Sequence, residues 1–177
     1  MEELSLHILD ILENAREAGA TKILLWIRES RQEDVLKFKI IDNGRGMGKE
    51  MLQKACDPFA TTRRTRKVGL GLAMLKATAE ACGGGLRLVS CPGKGTRVEA
   101  SFQYSHVDRP PMGNLAGSIG VFLVGTQSIH LRYIHRKNGK RFVFDSKAFL
   151  KQAGGLSFQE PRLFALLLNS LEIEDKD

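Results

Sequence analysis

One stretch, residues 40–47, limits the possible fold and function of this chain more than any other. A strand pattern ends there on a carboxylate and is followed by glycines. Residues 35–41 are apolar, β-branched and partly alternating, which predicts a strand that ends at Asp42. A lone carboxylate at a strand end can accept one specific N–H group of a ligand, and the glycines at 44 and 46 let a flat ring lie against the backbone. An ordinary Asp-Asn-Gly turn is the alternative interpretation, since these residues are common in strand-to-helix loops.

Length and composition favour a globular protein. The chain has 177 residues, which leaves room for one ordinary domain and a smaller second unit, and 42% of them are hydrophobic, which is enough for a packed core. No apolar run approaches the ~20 residues that span a bilayer, and the acidic residues after Met1 do not resemble a secretory or mitochondrial leader. The three cysteines lack Cys-x-x-Cys spacing. We therefore expect reduced thiols, a cytoplasmic location and no membrane partner.

The net charge of +7 is moderate. Because the chain has no long basic tail and few aromatic residues, we do not expect a nucleic-acid partner. The sharpest basic cluster, residues 63–67, lies beside glycines, which suits a compact polyanion such as a triphosphate.

Hydrophobic periodicity divides the first hundred residues into helices and strands. The predicted elements are a helix over 3–18, strands over 23–28 and 35–41, a short helix over 48–54, a polar segment to residue 68, a long helix to Gly83, and strands over 86–90 and 96–104. This order predicts an α/β two-layer sandwich, with helices covering one face of a mixed sheet.

The remainder of the chain begins with a segment typical of a linker, residues 105–118. Strands over 129–134 and 141–144 flank Asn138-Gly139, which is a strong hairpin signal. Helical patterns follow over 146–153 and 161–171, and this part of the sequence predicts no chemistry.

Four polar or glycine-rich stretches follow one another in the first part of the chain. They are Asp10-x-x-x-Asn14, Asp42-x-Gly44-x-Gly46, Asp57-Pro58-Phe59-Ala60-Thr61-Thr62-Arg63 and Gly69-Leu70-Gly71-Leu72. Asp10 and Asn14 are four residues apart on a predicted helix, so they share one face. Each stretch has a structural alternative: close helix packing for the glycines, a solvated loop for the basic cluster, and an ordinary exposed position for Asn14.

Two other nucleotide-binding patterns are excluded. The chain has no Gly-x-x-x-x-Gly-Lys-[Ser/Thr] sequence, which excludes a P-loop. Asp42 precedes its glycines, whereas the acid of a Rossmann fold follows them by ~20 residues.

Taken together, the four stretches closely resemble the N, G1, F and G2 boxes of the GHKL ATP-binding superfamily, which includes gyrase B subunits, Hsp90, histidine kinases, MutL and anti-sigma-factor kinases. The resemblance covers roughly residues 4–104. It implies a Bergerat-type ATP-binding fold over 1–104, a linker over 105–118, and a small C-terminal unit of a hairpin and helices over 119–177.

The resemblance implies ATP and Mg²⁺ as ligands. It assigns Asp42 to the exocyclic N–H of adenine, Thr96 to the support of that carboxylate, and Asn14 to Mg²⁺ coordination. The other nucleotide-contacting positions that it implies are Gly44, Gly46, Met47, Phe59, Thr61, Thr62, Arg63, Lys67, Gly69, Leu70, Gly71 and Leu72.

Asp10 occupies the position where MutL and anti-sigma kinases carry a glutamate that acts as general base. We hypothesise that Asp10 is the base, although it is one methylene shorter, with Glu13 as the less favoured choice. Lys67-Val68 stand where kinases usually have Gly-Thr or Gly-Ser.

Two functions follow from the resemblance. The first is transfer of the γ-phosphoryl group of ATP to a protein or to water. The alternative is an ATP-gated protein-interaction switch of the anti-sigma or MutL type, with little or no turnover. A protein partner is expected in either case, and a homodimer is compatible with both.

The histidines are not predicted to act as phosphoacceptors or metal ligands. His7 lies inside the first helix, where we expect a packed or half-exposed residue. No helix precedes this one, so we expect the phosphoacceptor and dimerisation helices of a sensor kinase to be missing. His106, His130 and His135 lack metal-ligand spacing and are expected at surface or strand positions.

Overall fold

The computed structural model describes residues 3–55, 70–126, 128–154 and 156–172. Its elements are α1 (Leu4–Glu17), β1 (Lys22–Ser30), β2 (Val35–Asp42), α2 (Lys49–Lys54), α3 (Leu70–Ala81), β3 (Gly85–Cys91), β4 (Gly95–Gln103), α4 (Leu115–Val124), β5 (His130–Lys137), β6 (Lys140–Asp145), α5 (Ser146–Gln152) and α6 (Pro161–Glu172).

The strands form a single six-stranded sheet in the order β3-β4-β2-β1-β5-β6. Neighbouring strands are antiparallel except for β1 and β5, which run parallel. Helices α1, α3 and α5 contact the sheet. The prediction of an α/β sandwich with a mixed sheet is therefore confirmed.

Alternation along the strands sends one set of side chains under the helices. Ile23, Leu25 and Ile27 of β1 are buried, as are Leu36, Phe38 and Ile40 of β2. Helix α1 covers this layer with an apolar stripe at helical spacing that includes Leu4, Ile8 and Leu12. Full burial of each such side chain stabilises the fold by about 1.5–3 kcal/mol, so this layer fixes the register of the strands. We call this side of the sheet the covered face.

Helix α4 is an element that the sequence does not predict. It begins at Leu115, inside the segment interpreted as a linker. Its N-cap is Asn114, whose Oδ1 accepts the N–H of Gly117 at 2.8 Å. The helix is apolar on nearly all sides because it packs between α1 and α6, and such a sequence shows no amphipathic period.

The C-terminal strands continue the same sheet. The β5–β6 hairpin turns at Asn138 and Gly139, which both have positive φ. The boundaries 1–104, 105–118 and 119–177 remain a prediction about domains. None of the helices in the described ranges is long and apolar enough to cross a membrane.

A buried polar network joins β5 to β1. The Nε2 atom of His135 lies 2.8 Å from Oε1 of Glu29, and the Tyr133 hydroxyl lies 2.8 Å from His135 Nδ1. Burial by itself would raise the pKa of Glu29. The hydrogen bond and charge of His135, together with Lys137 and Arg109, outweigh that effect and lower it. His135 is therefore on a strand, as predicted, and is also buried.

Candidate functional site

Asp42 ends β2 on the covered face with only 9% of its surface exposed. Its Oδ1 accepts the backbone N–H of Gly44 at 2.8 Å, and the backbone N–H of Thr96 also donates to the carboxylate. Burial raises the pKa of Asp42 and outweighs the two hydrogen bonds, which lower it. A desolvated carboxylate with acceptor capacity left is suited to a ligand N–H group, because such a donor restores part of its lost hydration.

The turn after Asp42 is held by Asn43. Its Oδ1 accepts the backbone N–H groups of Thr21 at 2.9 Å and Lys22 at 2.8 Å. Its Nδ2 donates to the Thr21 hydroxyl at 2.9 Å. Asn43 therefore fixes the loop to the start of β1, a structural role that a turn-forming residue fulfils.

Two glycines, Gly46 in this loop and Gly95 at the start of β4, allow close contacts within the protein. Gly46 has φ +66°, and a Cβ atom there would lie 2.0 Å from the carbonyl oxygen of Cys91. A Cβ atom at Gly95 would lie 2.0 Å from the carbonyl oxygen of Asp42. Close chain packing thus explains both residues without a ligand.

A hydroxyl pair supports the loop from β3 and β4. Ser90 Oγ accepts the N–H of Met47 at 2.8 Å and donates to the carbonyl of Gly95 at 3.0 Å. Since that bond uses its only proton, the hydroxyl of Thr96, 2.8 Å away, donates to Ser90. Thr96 therefore acts on Asp42 through its main-chain N–H and on the loop through its side chain. Ser90 was not identified from the sequence, where a serine in a strand gives no signal.

One face of α1 connects the two glycine motifs. Asp10, Asn14 and Ala18 follow each other at four-residue spacing over about 12 Å of helix. Gly71 packs against Asp10 so closely that a Cβ atom there would lie 1.9 Å from Oδ2. At the other end, a Cβ atom at Gly44 would lie 2.9 Å from the Cβ atom of Ala18. Asn14 is partly exposed and lies between these two contacts.

Glu13, the other acid considered as a base, is held elsewhere. Its Oε2 lies 2.5 Å from Nη2 of Arg16. The Nη1 atom of Arg16 in turn donates to the carbonyl of Gly125 at 3.2 Å, next to α4. This arrangement directs Glu13 toward Arg16, while Asp10 lies beside the start of α3.

Several predicted site residues lie outside the described residues. These are Phe59, Thr61, Thr62, Arg63, Lys67 and Gly69. The backbone of Leu70 begins α3, and Leu72 is a partly buried residue packed against the core.

His7 is a packed residue. It is 1% exposed, and neither ring nitrogen has a hydrogen-bond partner among the described residues. Burial, with a smaller contribution from the positive N-terminus, lowers the pKa of His7 to about 4, so the imidazole is neutral at neutral pH.

The sequence that forms this site matches a family of known proteins. Residues 2–106 match the family of histidine kinase-, DNA gyrase B-, and HSP90-like ATPases. The chain belongs to this family. Membership in this ATPase family implies that the protein binds ATP.

Relatives with described functions include sensor proteins. A non-motile and phage-resistance protein of Caulobacter vibrioides is 31% identical over 111 residues, which cover 58% of this chain and 13% of that protein. The tetrathionate sensor histidine kinase TtrS of Salmonella typhimurium is 40% identical over 67 residues, which cover 38% of this chain and 11% of the kinase. This ATPase chain therefore matches only a small part of the length of these relatives.

A solved structure supports the fold. The crystal structure of the N-terminal domain of a DNA repair protein superposes with a TM-score of 0.54 at 14% identity, covering 82% of this chain and 53% of that one. At this identity the similarity concerns the fold alone.

Proposed function

We propose that this ATPase-family chain holds the adenine of ATP at Asp42 and the phosphates at the start of α3, with the Asp10–Asn14 face of α1 between them. The observation that carries the proposal is the contact of α1 with Gly44 at one end and Gly71 at the other. That spacing places one polar helix face between a buried carboxylate and a helix N-terminus, where backbone N–H groups favour an anion.

The adenine end depends on hydrogen-bond matching. The carboxylate of Asp42 accepts the exocyclic N–H of adenine in addition to the N–H groups of Gly44 and Thr96. A buried acceptor rejects a base that has no donor at this position, since the acceptor would then be left unpaired.

The residues of α1 fit a magnesium ion. The amide oxygen of Asn14 is a hard oxygen ligand, the donor type that Mg²⁺ prefers, and the carboxylate of Asp10 lies on the same helix face. The ion would neutralise charge on the phosphates. Asn14 would hold it, and Asp10 would remain the nearest carboxylate.

The reaction proposed is transfer of the γ-phosphoryl group. An acceptor oxygen of water, or a nucleophilic side-chain atom of a protein, bonds to the γ-phosphorus while the bond to the ADP oxygen breaks. Asp10 accepts the proton released by the acceptor. Glu13 is less suited to this role because Arg16 engages it. A protein acceptor and a homodimer remain predictions.

The test is ATP labelled at the γ position, incubated with Mg²⁺ and either the parental protein or its Asp10→Asn variant. We expect label in free phosphate or on a protein with the parental chain and at least a tenfold lower rate with the variant. An equal rate in the variant removes Asp10 as the base. Tight ATP binding without transfer by either protein assigns the nucleotide-gated switch instead.

A further inference from the structure

The side of the sheet opposite the helices forms a basic surface that the nucleotide site does not use. The strand register aligns its side chains in three rows that cross all six strands, because cross-strand partners share a face. The rows are Gly85–Ser101–Lys37–Arg28–Arg136–Arg141, Arg87–Glu99–Lys39–Trp26–Ile134–Val143, and Val89–Arg97–Ile41–Leu24–Arg132–Asp145. We call this surface the open face, since none of these eighteen residues is buried.

Charge on the open face is strongly one-sided. Eight of its residues are basic, and only Glu99 and Asp145 are acidic. Each acid is engaged: Glu99 lies 2.7 Å from both Lys39 and Arg97, and Asp145 caps α5 while it contacts His130. Within the described part of the chain, five of the cations form no ion pair: Lys37, Arg87, Arg132, Arg136 and Arg141. The positive field of this surface is therefore largely uncompensated.

An aromatic ring lies at the centre of these cations. Trp26 is partly exposed in the middle row, and the ammonium group of Lys39 lies 5.6 Å from the centre of its ring. Beside it the small residues Gly85 and Ser101 leave a depression of about 360 Å³ that extends to Arg87. The surface thus combines an aromatic wall, a hollow and surrounding cations.

We propose that the open face binds single-stranded nucleic acid, with a base stacked on Trp26 and the phosphates on the arginines around it. Six of the eight cations are arginines, whose planar guanidinium groups match phosphate oxygens. Base stacking on an exposed aromatic residue within a cationic groove is a common way to hold single strands, and sheet surfaces are suitable platforms for it.

The shape of the surface argues against the other polyanionic partners. A membrane-binding surface needs a cluster of apolar side chains that protrude into the lipid. The exposed aliphatic residues of the open face, Val89 and Val143, lie apart on the opposite edge strands β3 and β6, and Trp26 borders a hollow. An acidic protein would satisfy the arginines but gives no reason for an aromatic wall beside a cavity. The proposal concerns the face opposite Asp42, so it is independent of the ATP site.

The protein provides its own probe, because Trp26 is its only tryptophan. A base stacked on the ring should quench its fluorescence, so the whole chain can be titrated with ~12-nucleotide oligothymidylate and oligouridylate. We expect saturable quenching that weakens steeply between about 50 and 200 mM salt. Quenching by either probe supports the proposal, and a preference for one distinguishes DNA from RNA.

A pair of double variants tests the position of the surface. Arg136→Ala with Arg141→Ala should weaken binding about tenfold and reduce the salt slope by about 1.4, since each lost phosphate contact on a single strand contributes about 0.7. The control, Lys147→Ala with Lys151→Ala, removes the same charge from exposed positions of α5 on the covered side. It should change the affinity less than twofold. Circular dichroism verifies that each variant is folded.

Three results would overturn the proposal. The first is an absence of quenching by both oligonucleotides at low salt. The second is equal weakening by the two double variants, which would reduce the effect to net charge. The third is equal or stronger binding of phosphatidylglycerol vesicles or polyglutamate at the same charge concentration, which would assign the face to a membrane or to an acidic protein.

Discussion

The covered face and the open face are built from alternate residues of the same six strands, yet they satisfy their polar groups in different ways. On the covered face, Asp42 accepts two backbone N–H groups, and Glu29 pairs with His135. On the open face, five of the eight cations form no ion pair within the described residues. Burial explains the difference, because an unpaired polar group costs far more free energy when it is removed from water.

This contrast indicates two kinds of binding. A covered face with preorganised acceptors selects a small ligand by matching individual hydrogen bonds. An open face with many cations attracts a large polyanion through its field, with little demand on the position of any one group. The two sites should therefore respond independently to substitution, and the following predictions test that independence.

The largest effect is expected for Asp42→Ala. Removing the acceptor for the adenine N–H should weaken ATP binding about a thousandfold, measured by isothermal titration calorimetry, because the base then lacks its specific partner. Oligothymidylate binding should not change. Asp108→Ala is the matched control, since it removes an exposed acid and should leave both affinities intact. Loss of both affinities in Asp42→Ala would contradict the independence of the faces.

A comparison of two glutamates separates the faces by stability. Glu29→Ala should lower the free energy of unfolding by about 3 kcal/mol, because it removes the carboxylate that pairs with the buried Nε2 atom of His135. Glu99→Ala on the open face should cost less than about 1 kcal/mol, since its ion pairs with Lys39 and Arg97 are partly solvated. Urea unfolding measures both losses in the free energy of unfolding. Equal losses would contradict the claim that the buried contact of Glu29 contributes more than the solvated ion pairs of Glu99.

The direction of the pH dependence follows for Glu29. Its pKa is lowered in the folded state, so the stabilisation is present above the unfolded pKa of the carboxyl and decreases as the pH falls through the folded value. The difference in stability between the parental protein and the Glu29 variant should narrow in acid. If this difference in stability widens in acid instead, folding raises the pKa of Glu29 rather than lowering it.

A smaller effect is expected for Gly71→Ala. The added Cβ atom would lie 1.9 Å from Oδ2 of Asp10 and must displace that carboxylate, so ATP affinity should decrease about tenfold. In an Asp10→Ala background the same substitution should change the affinity less than twofold, because the clash is gone. Gly48→Ala is the control, since nothing lies within 4 Å of its added Cβ atom. If Gly71→Ala weakens ATP binding equally in the parental and Asp10→Ala backgrounds, the clash with Asp10 is not the cause of the weaker binding.

The smallest effect is a pH dependence of ATP binding. Burial raises the pKa of Asp42, and a ligand N–H group favours the ionised form. Affinity should therefore increase several-fold as the pH rises through that pKa, with release of a proton on binding. The Asp42→Asn variant has no ionisable group at this position, so its pH profile reports the ionisation of ATP without that of Asp42. A parental profile identical to that of the variant would indicate that Asp42 is not coupled to the ligand.

Short motifs allow site residues to be proposed from the sequence. Asp10, Asn14, Asp42 and Gly71 were selected from such motifs through their resemblance to the GHKL superfamily, and their roles stay predictions. The hairpin of β1 and β2 was likewise predictable, since its alternation reflects burial on one face.

Other features arise only when distant segments meet. The open face is one example, because strand register brings together residues that are far apart in sequence, such as Arg87, Lys39, Trp26 and Arg136. A search of the sequence for runs of basic residues therefore does not detect this surface. The pairing of Glu29 with His135 depends on β5 lying parallel to β1, which neither segment encodes locally. Ser90 belongs to the same class, because its role depends on the loop that folds over β3.

The most direct measurement compares ATP with ITP, which has an oxygen in place of the exocyclic amine, on the parental protein and on Asp42→Asn. If Asp42 accepts the adenine N–H, the parental protein prefers ATP by at least about a hundredfold. The amide of the variant can donate to the ITP oxygen, so that preference should disappear or reverse. The same ratio of affinities in both proteins would contradict the assignment of adenine to Asp42.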